Sequence, residues 1–416
     1  MMEKKSQHIP AIRFVDFTDS WQEHQLGEIS NRVIEKNTNL TEHETFTNSA
    51  ELGIISQEDF FDHEITNEAN VGGYYVIHPN DFIYNPRISA TAPVGPINRN
   101  KLGRNGVMSP LYTVFRPHDV DNTFLEYYFK TNRWHSFMQF NGDSGARSDR
   151  FSIKTDLFYE MPIAMPKQAE QQKIGALLQT LDKRIDAGGR KLKKLKEVKV
   201  AMLAKMFPKK GQRVPEIRFA GFTEDWEQHK LGDLGKTRSG VGFPEEEQGG
   251  KEGIPFYKVS DMGNAGNEHE MVIANNYVTD NQITRQGWKP IIEVPAIFFA
   301  KVGAAVLLNR KRLCRVPFLL DNNTMAYSMD TNLIDANFTK MLFETIDLTS
   351  LVQIGALPSY NAGDVESIEI CIPTMDEQKK IGDYFKKIDH IISAHKRKLQ
   401  KLQNVKQALL GQMFCN

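Results

Sequence analysis

Pro166-Lys-Gln-Ala-Glu-Gln-Gln-Lys-Ile-Gly175 returns as Pro373-Thr-Met-Asp-Glu-Gln-Lys-Lys-Ile-Gly382, and the residues after each copy decide the fold. At the same offset of 207 positions, Arg190-Lys-Leu192 matches Arg397-Lys-Leu399 and Met206-Phe207 matches Met413-Phe414. The chain therefore carries a long-period internal repeat. Apolar residues recur in steps of four and three at Ile174, Leu178, Leu181, Ile185, Leu192, Leu195 and Met202. In the second copy they are Ile381, Phe385, Ile388, Ile392, Leu399, Leu402 and Leu409. Such a period is that of a coiled-coil seam. Both stripes break at matching places, Gly188 with His395 and Lys199 with Lys406. One copy alone would pass for the inner face of a core helix. Two copies, each long enough for a rod of roughly 57 Å at 1.5 Å per residue, are expected to bury their stripes against one another. Glu170 and Glu377 fall in the first turns, where the helix dipole favours a carboxylate. Gly188-Gly189 weakens the first helix at mid-length by roughly 1 kcal/mol per glycine relative to alanine.

A second matched pair opens each half. Pro10-Ala-Ile-Arg-Phe-Val-Asp-Phe-Thr-Asp-Ser-Trp-Gln-Glu-His-Gln-Leu-Gly27 corresponds to Pro215-Glu-Ile-Arg-Phe-Ala-Gly-Phe-Thr-Glu-Asp-Trp-Glu-Gln-His-Lys-Leu-Gly232. Trp21 and Trp226, His24 and His229, and the two Leu-Gly pairs coincide. Each histidine stands without ligand spacing, so a structural role is expected for both. Between the matched frames the halves diverge. Strand-like runs at 74–77, 81–84 and 111–115 occupy the first, and runs at 254–260, 296–300 and 304–308 the second, bounded by Gly, Pro and Asn. Helical stretches at 123–140 and 337–352 come next, then glycine-rich turns at 145–148 and 355–358. The expected fold is α+β: globules at 1–160 and 215–367, long-helix segments at 161–207 and 368–416, a linker at 208–214, and an internal repeat.

Composition sets the class. A length of 416 residues exceeds one ordinary core, and 40% hydrophobic with 25% charged residues describes a globular protein. Cys314, Cys371 and Cys415 lie far apart, which disfavours a disulfide framework or zinc site and fits a reducing cytoplasm. The N-terminal residues have no apolar core like that of a signal peptide. The greasiest run, 291–308, is interrupted by Glu293, Pro295 and Lys301, so no membrane span is expected. Lys and Arg balance Asp and Glu at 52 each, yet 167–210 with 376–416 hold 22 cations against 8 carboxylates. The excess sits on the helices, where a solvated coiled-coil face accounts for it without nucleic acid.

Matched openings and matched long helices framing two divergent globules resemble the specificity subunit of type I restriction-modification systems. The resemblance covers nearly the whole chain. Its diagnostic parts are the Pro166 and Pro373 motifs, the run 254–262, and the Trp21/Leu26-Gly27 and Trp226/Leu231-Gly232 openings. Each motif is weak alone, and the ordered, duplicated set is strong. The resemblance implies that each globule is a target recognition domain reading half of a bipartite site on double-stranded DNA. It also implies that the two long helices form an antiparallel coiled coil about an internal pseudo-two-fold axis, space the domains and carry two methyltransferase subunits, with restriction subunits joining through the complex. S-adenosylmethionine, ATP and magnesium then belong to those partners, and this chain needs no cofactor, metal or catalytic residue.

Reading a sequence takes Arg on guanine and Asn or Gln on adenine, while Lys and hydroxyls mostly hold phosphates. In the first globule the densest set is Asn98, Arg99, Lys101 and Arg104, with Arg87, Arg147 and Arg150. In the second it is Lys236, Arg238, Lys258 and the run Arg310, Lys311, Arg312. Solvated surface loops are the bland alternative for each. Motifs for chemistry are missing: Asn85-Pro86-Arg87 lacks the second proline and aromatic of an adenine methyltransferase, 239–244 makes a poor nucleotide loop, and no GxxxxGK[ST] is present. A structural coiled-coil adaptor with protein-binding globules is the alternative reading, and a self-contained restriction enzyme is a third. Neither accounts for matched frames around mismatched globules.

Overall fold

A proline cannot donate to a ladder but sets φ for a helix entry, and Pro166 and Pro373 each divide a strand from a long helix. The computed structural model describes residues 8–60, 68–143, 149–352 and 358–415. Two compact units emerge, one of Met1–Gly188 with Lys398–Asn416, the other of Gly189–Arg397. The first contains β1 (Gln22–Gln25), β2 (Ser30–Arg32), β3 (Phe82–Tyr84), β4 (Ile97–Arg99), β5 (Thr113–Pro117), α1 (Asn122–Phe129), β6 (Pro162–Met165) and the start of α2 (Gln168–Met206). The second contains β7 (Glu227–Lys230), β8 (Gly235–Ser239), β9 (Ala296–Ala300), β10 (Lys311–Cys314), β11 (Thr324–Met329), α3 (Ala336–Thr345), β12 (Glu369–Ile372) and the start of α4 (Met375–Gln412). Each unit has an antiparallel four-stranded sheet, ordered β2-β5-β3-β4 in the first and β8-β11-β9-β10 in the second. The order is the same in both. In each, the opening strand also pairs with the strand before the long helix, β1 with β6 and β7 with β12. His24 faces Ile163 and His229 faces Ile370 in those ladders.

Several sequence expectations shift. The boundaries expected at 160 and 367 fall just ahead of β6 and β12, so each expected long-helix segment includes a strand of the preceding globule. The helical stretch 123–140 divides into α1 and a shorter helix, His135–Asn141, and 337–352 divides into α3 and a turn at Leu348–Leu351. The run 304–308 is a 3-10 turn rather than a strand, because Gly303 (φ 78°) and Asn309 (φ 48°) bend the chain at both ends. The glycine-rich turns, apart from Pro358, lie outside the described residues. Helix α2 runs unbroken through Gly188-Gly189.

The repeated motif works identically in both units. Arg13 from the opening segment meets both oxygens of buried Glu170 at 2.7 Å, and Arg218 meets Glu377 at 2.7 and 2.8 Å. The next residue ties in the capped helix. Gln171 accepts from the backbone N–H of Asp121 (2.8 Å), and Gln378 from that of Asp335 (2.8 Å). Those aspartates in turn accept from the first free N–H groups of α1 and α3. Glycine lets the helices meet: a Cβ on Gly382 would lie 2.7 Å from the Phe338 nitrogen, and on Gly175 3.2 Å from the Phe124 nitrogen.

The stripes pair antiparallel within each unit. In the first, Ile174, Leu178 and Leu181 from the start of α2 share a core with Leu402, Leu409 and Leu410 from the end of α4. In the second, Met202, Leu203 and Met206 from the end of α2 share a core with Ile381, Phe385 and Ile388 from the start of α4. Ile392 is buried, while Ile185, Leu192, Leu195 and Leu399 are half-buried. The lysines that interrupt the stripes are answered across the seam, Lys406 by Asp182 and Lys199 by Asp389 (2.7 Å). Tyr127 donates to Asp182 at 2.7 Å in the first unit, whereas Lys340 joins Asp389 at 2.6 Å in the second. The helix ends complete the globules. Phe414 packs on Trp21, Phe124 and Tyr128, and Phe207 on Trp226, Phe338 and Phe385.

Phe414→Ala should therefore cost the first unit about 3–5 kcal/mol, the usual cost of emptying an aromatic core position, although it lies at the far end of the sequence. Hydrogen exchange should accelerate in 21–165 and not in 226–372.

The second unit should also lose stability in acid. Burial alone would raise the Asp389 carboxyl, but Lys340 and Lys199 outweigh it and hold the group below its ordinary value. Burial holds His269 below its ordinary value. Both shifts have the same sign: protons bind the unfolded chain first, so stability declines from about pH 6.5 through His269 and again below about 3.9 through Asp389. Asp389→Asn leaves Lys199 and Lys340 with Glu344 as their remaining carboxylate, costs ~1–3 kcal/mol near neutrality, and should flatten the acid limb in urea unfolding from pH 7 to 3.

Candidate nucleic-acid interface

In both units, the loop after the second strand of the four-stranded sheet in chain order, β3 or β9, is bridged to the segment after the glycine-rich turn. Arg87 forms an antiparallel bridge with Arg150, and Val302 one with Ser359. Supporting bonds are Phe151 N–H to Pro86 O (2.7 Å) and Ile88 N–H to Asp149 O (3.0 Å) in the first unit, and Gly303 N–H to Pro358 O (2.9 Å) in the second. Two stretches distant in sequence thus form one ledge beside the sheet. In the first unit the ledge borders an open cavity of about 620 Å³ whose lining includes Thr47, Asn48, Asn85, Arg87, Tyr112 and Arg150.

An amide network shapes its wall. Asn48, nearly fully buried, donates to Ile83 O (2.7 Å) and accepts from Asn98 Nδ2 (2.8 Å); Asn85 donates to Asn48 O (2.8 Å). Asn98 is thereby committed to the wall. Arg87 is exposed and lies 3.6 Å from exposed Asp149, a pairing that solvent screens. Arg150 has no side-chain hydrogen bond or ion pair among the described residues. Arg147 lies outside the described residues.

The remaining cations of the first set are answered within the fold. Arg99 bonds Asn80 (2.6 and 2.9 Å) and lies 3.5 Å from Glu126, Lys101 pairs with Glu126 at 3.0 Å, and Arg104 grips both oxygens of Glu44 at 2.6 Å. Glu126, on α1, is itself buried; burial would raise its carboxyl, but Lys130 and Lys101 hold it below its ordinary value. Counting cations along the loop cannot see it.

In the second unit, Lys236 and Arg238 stand on the exposed face of β8, with Arg238 paired to Glu293 at 2.7 Å. Lys258 donates to Gln248 at 3.1 Å. The run at 310–312 enters β10, and strand alternation separates its members. Lys311 turns inward, donating to Asn309 (2.6 Å) and Ile346 O (2.7 Å), and burial lowers its pKa to about 8. Arg312 is held by Asn267 O at 2.6 Å, and Arg310 alone is exposed. Lys311 is thus a fold residue rather than a surface contact. His269, Glu344 and Asp389 offer ligand atoms within 4.8 Å of one another. The donors resemble a cation site, but the ammonium groups of Lys199 and Lys340 already supply its charge. Among the described residues no helix is long and apolar enough to cross a membrane.

A family model described as the type I restriction modification DNA specificity domain matches residues 18–197 and again 223–404. Curated relatives include two specificity subunits of Methanocaldococcus jannaschii. That of the type I restriction enzyme MjaVIII is 20% identical over 337 residues, 74% of either chain. That of MjaIX is 21% identical over 342 residues, 78% of this chain and 76% of the relative. A type I restriction-modification S subunit from M. genitalium superposes with a TM-score of 0.59 at 14% identity, covering 98% of this chain and 99% of that one. A chain from a structure concerned with assembly and conformational transition of a type I system gives 0.56 at 14% identity, covering 94% and 96%. Those likenesses establish the shared fold.

Arg150→Ala should leave the unfolding midpoint nearly unchanged, within about 0.5 kcal/mol, since the side chain holds no other described residue in place. Asn48→Ala should cost ~1–3 kcal/mol by orphaning buried partners. Urea unfolding of the two variants checks this.

Proposed function

The chain belongs to the type I restriction-modification DNA specificity family as a specificity subunit with two copies of the family's domain, and from that premise we propose how it acts. Each unit reads one half of a bipartite site on double-stranded DNA. The chain directs two methyltransferase subunits to adenines there and, through the complex, restriction subunits. It performs no chemistry itself; S-adenosylmethionine, ATP and magnesium are bound by the partners. The observation that carries this reading is the equivalence of the ledges: one strand order and one bridged loop pair in both units, with different side chains displayed.

The first unit offers Arg87 and Arg150 beside a cavity, and the second offers Arg310 with Lys236 on β8. Arginine suits guanine edges and phosphates, and the buried amide network fixes the cavity wall so that little ordering is lost on binding. Two differing displays read two differing half-sites. The interrupted seam suits a spacer, because pairing lysine with aspartate fixes how the helices align.

Purified alone, the chain should neither methylate nor cleave DNA. With its methyltransferase partner it should methylate adenines in one bipartite sequence, identified by mapping methylated adenines in cells with and without the gene. Replacing residues 30–140 with those of a relative should alter one half of that sequence and leave the other. Methylation by the isolated chain, or both halves changing together, contradicts the reading. Partner proteins retained in the absence of DNA, with no salt-sensitive sequence preference, would favour an adaptor instead.

A further inference from the structure

Leu307 and Leu308 are adjacent, 62% and 58% exposed, and placed on a braced loop. The loop joins β9 to β10. Gly303 and Asn309 turn the chain at its two ends, and Val306, 2% exposed, anchors the middle in the core. The Asn309 side chain fixes the exit by accepting from the Leu348 N–H (3.1 Å) and Lys311 Nζ (2.6 Å). Bracing of this kind holds two leucines in water at a defined position. Adjacent on one braced loop, the two side chains form a small contiguous apolar patch fit to meet an apolar group of a ligand.

The position in the fold indicates which contact. The corresponding loop of the first unit, 85–96, joins β3 to β4, is anchored by buried Val94, and carries Arg87 at the ledge. Arg310 comes two residues after the leucine pair and is exposed. An apolar pair beside a cation, on the loop that presents an arginine in the other unit, suits a base edge with its phosphate. The thymine 5-methyl is the apolar group that base pairs display in the major groove. We infer that Leu307 and Leu308 contact thymine methyl groups in the half-site read by the second unit, with Arg310 on a neighbouring phosphate. This rests on the DNA-reading function proposed above and adds the chemical class of the bases.

The test uses the complete chain with its methyltransferase partner and the mapped target duplex, replacing each thymine by uracil in turn to remove only the methyl. Competition binding should show the native complex losing about fourfold for each methyl touched in the second half-site, the factor that ~0.8 kcal/mol of buried methylene corresponds to. The double variant Leu307→Ala/Leu308→Ala should bind the thymine duplex more weakly and lose that sensitivity, while Leu307→Met/Leu308→Met should retain it. Both variants should respond normally to changes in the first half-site, which shows that they are folded. A second half-site lacking thymine, a native complex indifferent to uracil there, or an alanine variant as sensitive as the native one overturns the inference. So does an alanine variant that fails to assemble with the methyltransferase yet keeps its uracil response. A complex with no sequence preference at all fails the proposed function itself, a separate result.

Discussion

A fully buried carboxylate one turn into a long helix is the constraint on which both units depend. Glu377 is 0% exposed and Glu170 1%, and each is met on both oxygens by an arginine from the matched opening segment. Desolvating such a charge is unfavourable by several kcal/mol unless a well-placed partner offsets it, and the helix N-terminus contributes a favourable dipole. The opening segment must therefore fold back over the helix start. Once there, its strand pairs with the strand preceding the proline, its tryptophan reaches the phenylalanine of α1 or α3, and the adjacent glutamine binds the capping aspartate. Sequence motifs that look unrelated, an Ile-Arg-Phe near one end and a Glu-Gln near the other, are two sides of one contact.

The second constraint lies in the seam. An apolar stripe alone would tolerate either direction of pairing, and polar residues at seam positions are a known means of choosing. Lys199 and Lys406 are equivalent residues, as are Asp182 and Asp389. A parallel, in-register pairing would set lysine level with lysine and aspartate with aspartate. Antiparallel pairing sets each lysine on an aspartate. The interruptions are therefore what makes direction costly to reverse, and they make the core of each unit draw on both helices.

The repeat, the stripes and the mixed globules are legible because periodicity and duplication survive in one dimension. The partners of charges are not. Glu126 gathers Lys130 from the end of its own helix and Arg99 and Lys101 from a preceding strand and loop, and strand alternation turns Lys311 inward although it lies between two arginines. The ledge is half legible: Arg87 and Arg150 stand out as candidates, but their meeting depends on a bridge between segments far apart. Leu307 and Leu308 look like part of a strand, since an Ala-Ala-Val-Leu-Leu run carries that pattern; only the positive φ angles at Gly303 and Asn309 reveal the turn. Those two residues are types that tolerate such angles, which is the signal the sequence offers. That the residues at 413–415 complete the first unit can be deduced from the repeat only once antiparallel pairing is known.

Capped helices α1 and α3 show how one frame supports two surfaces. Five residues after the capping aspartate stands Glu126 in one and Lys340 in the other. Glu126 draws Arg99, Lys101 and Lys130 onto itself, so among the described candidate cations of the first unit Arg87 and Arg150 are those left at the ledge. In the second, Lys340 is spent on Asp389 and Lys311 on backbone and amide oxygens, so of that unit's candidate cations Arg310 and Lys236 stay exposed without a carboxylate partner among the described residues. Electrostatic attraction to DNA grows with the number of phosphates neutralised, so under the proposed function the two units together hold a duplex more firmly than either one. Joining two such units on one chain makes the second engagement intramolecular, at an effective concentration far above that of a free domain. Under the proposed function a site must then satisfy both displays before either is held for long.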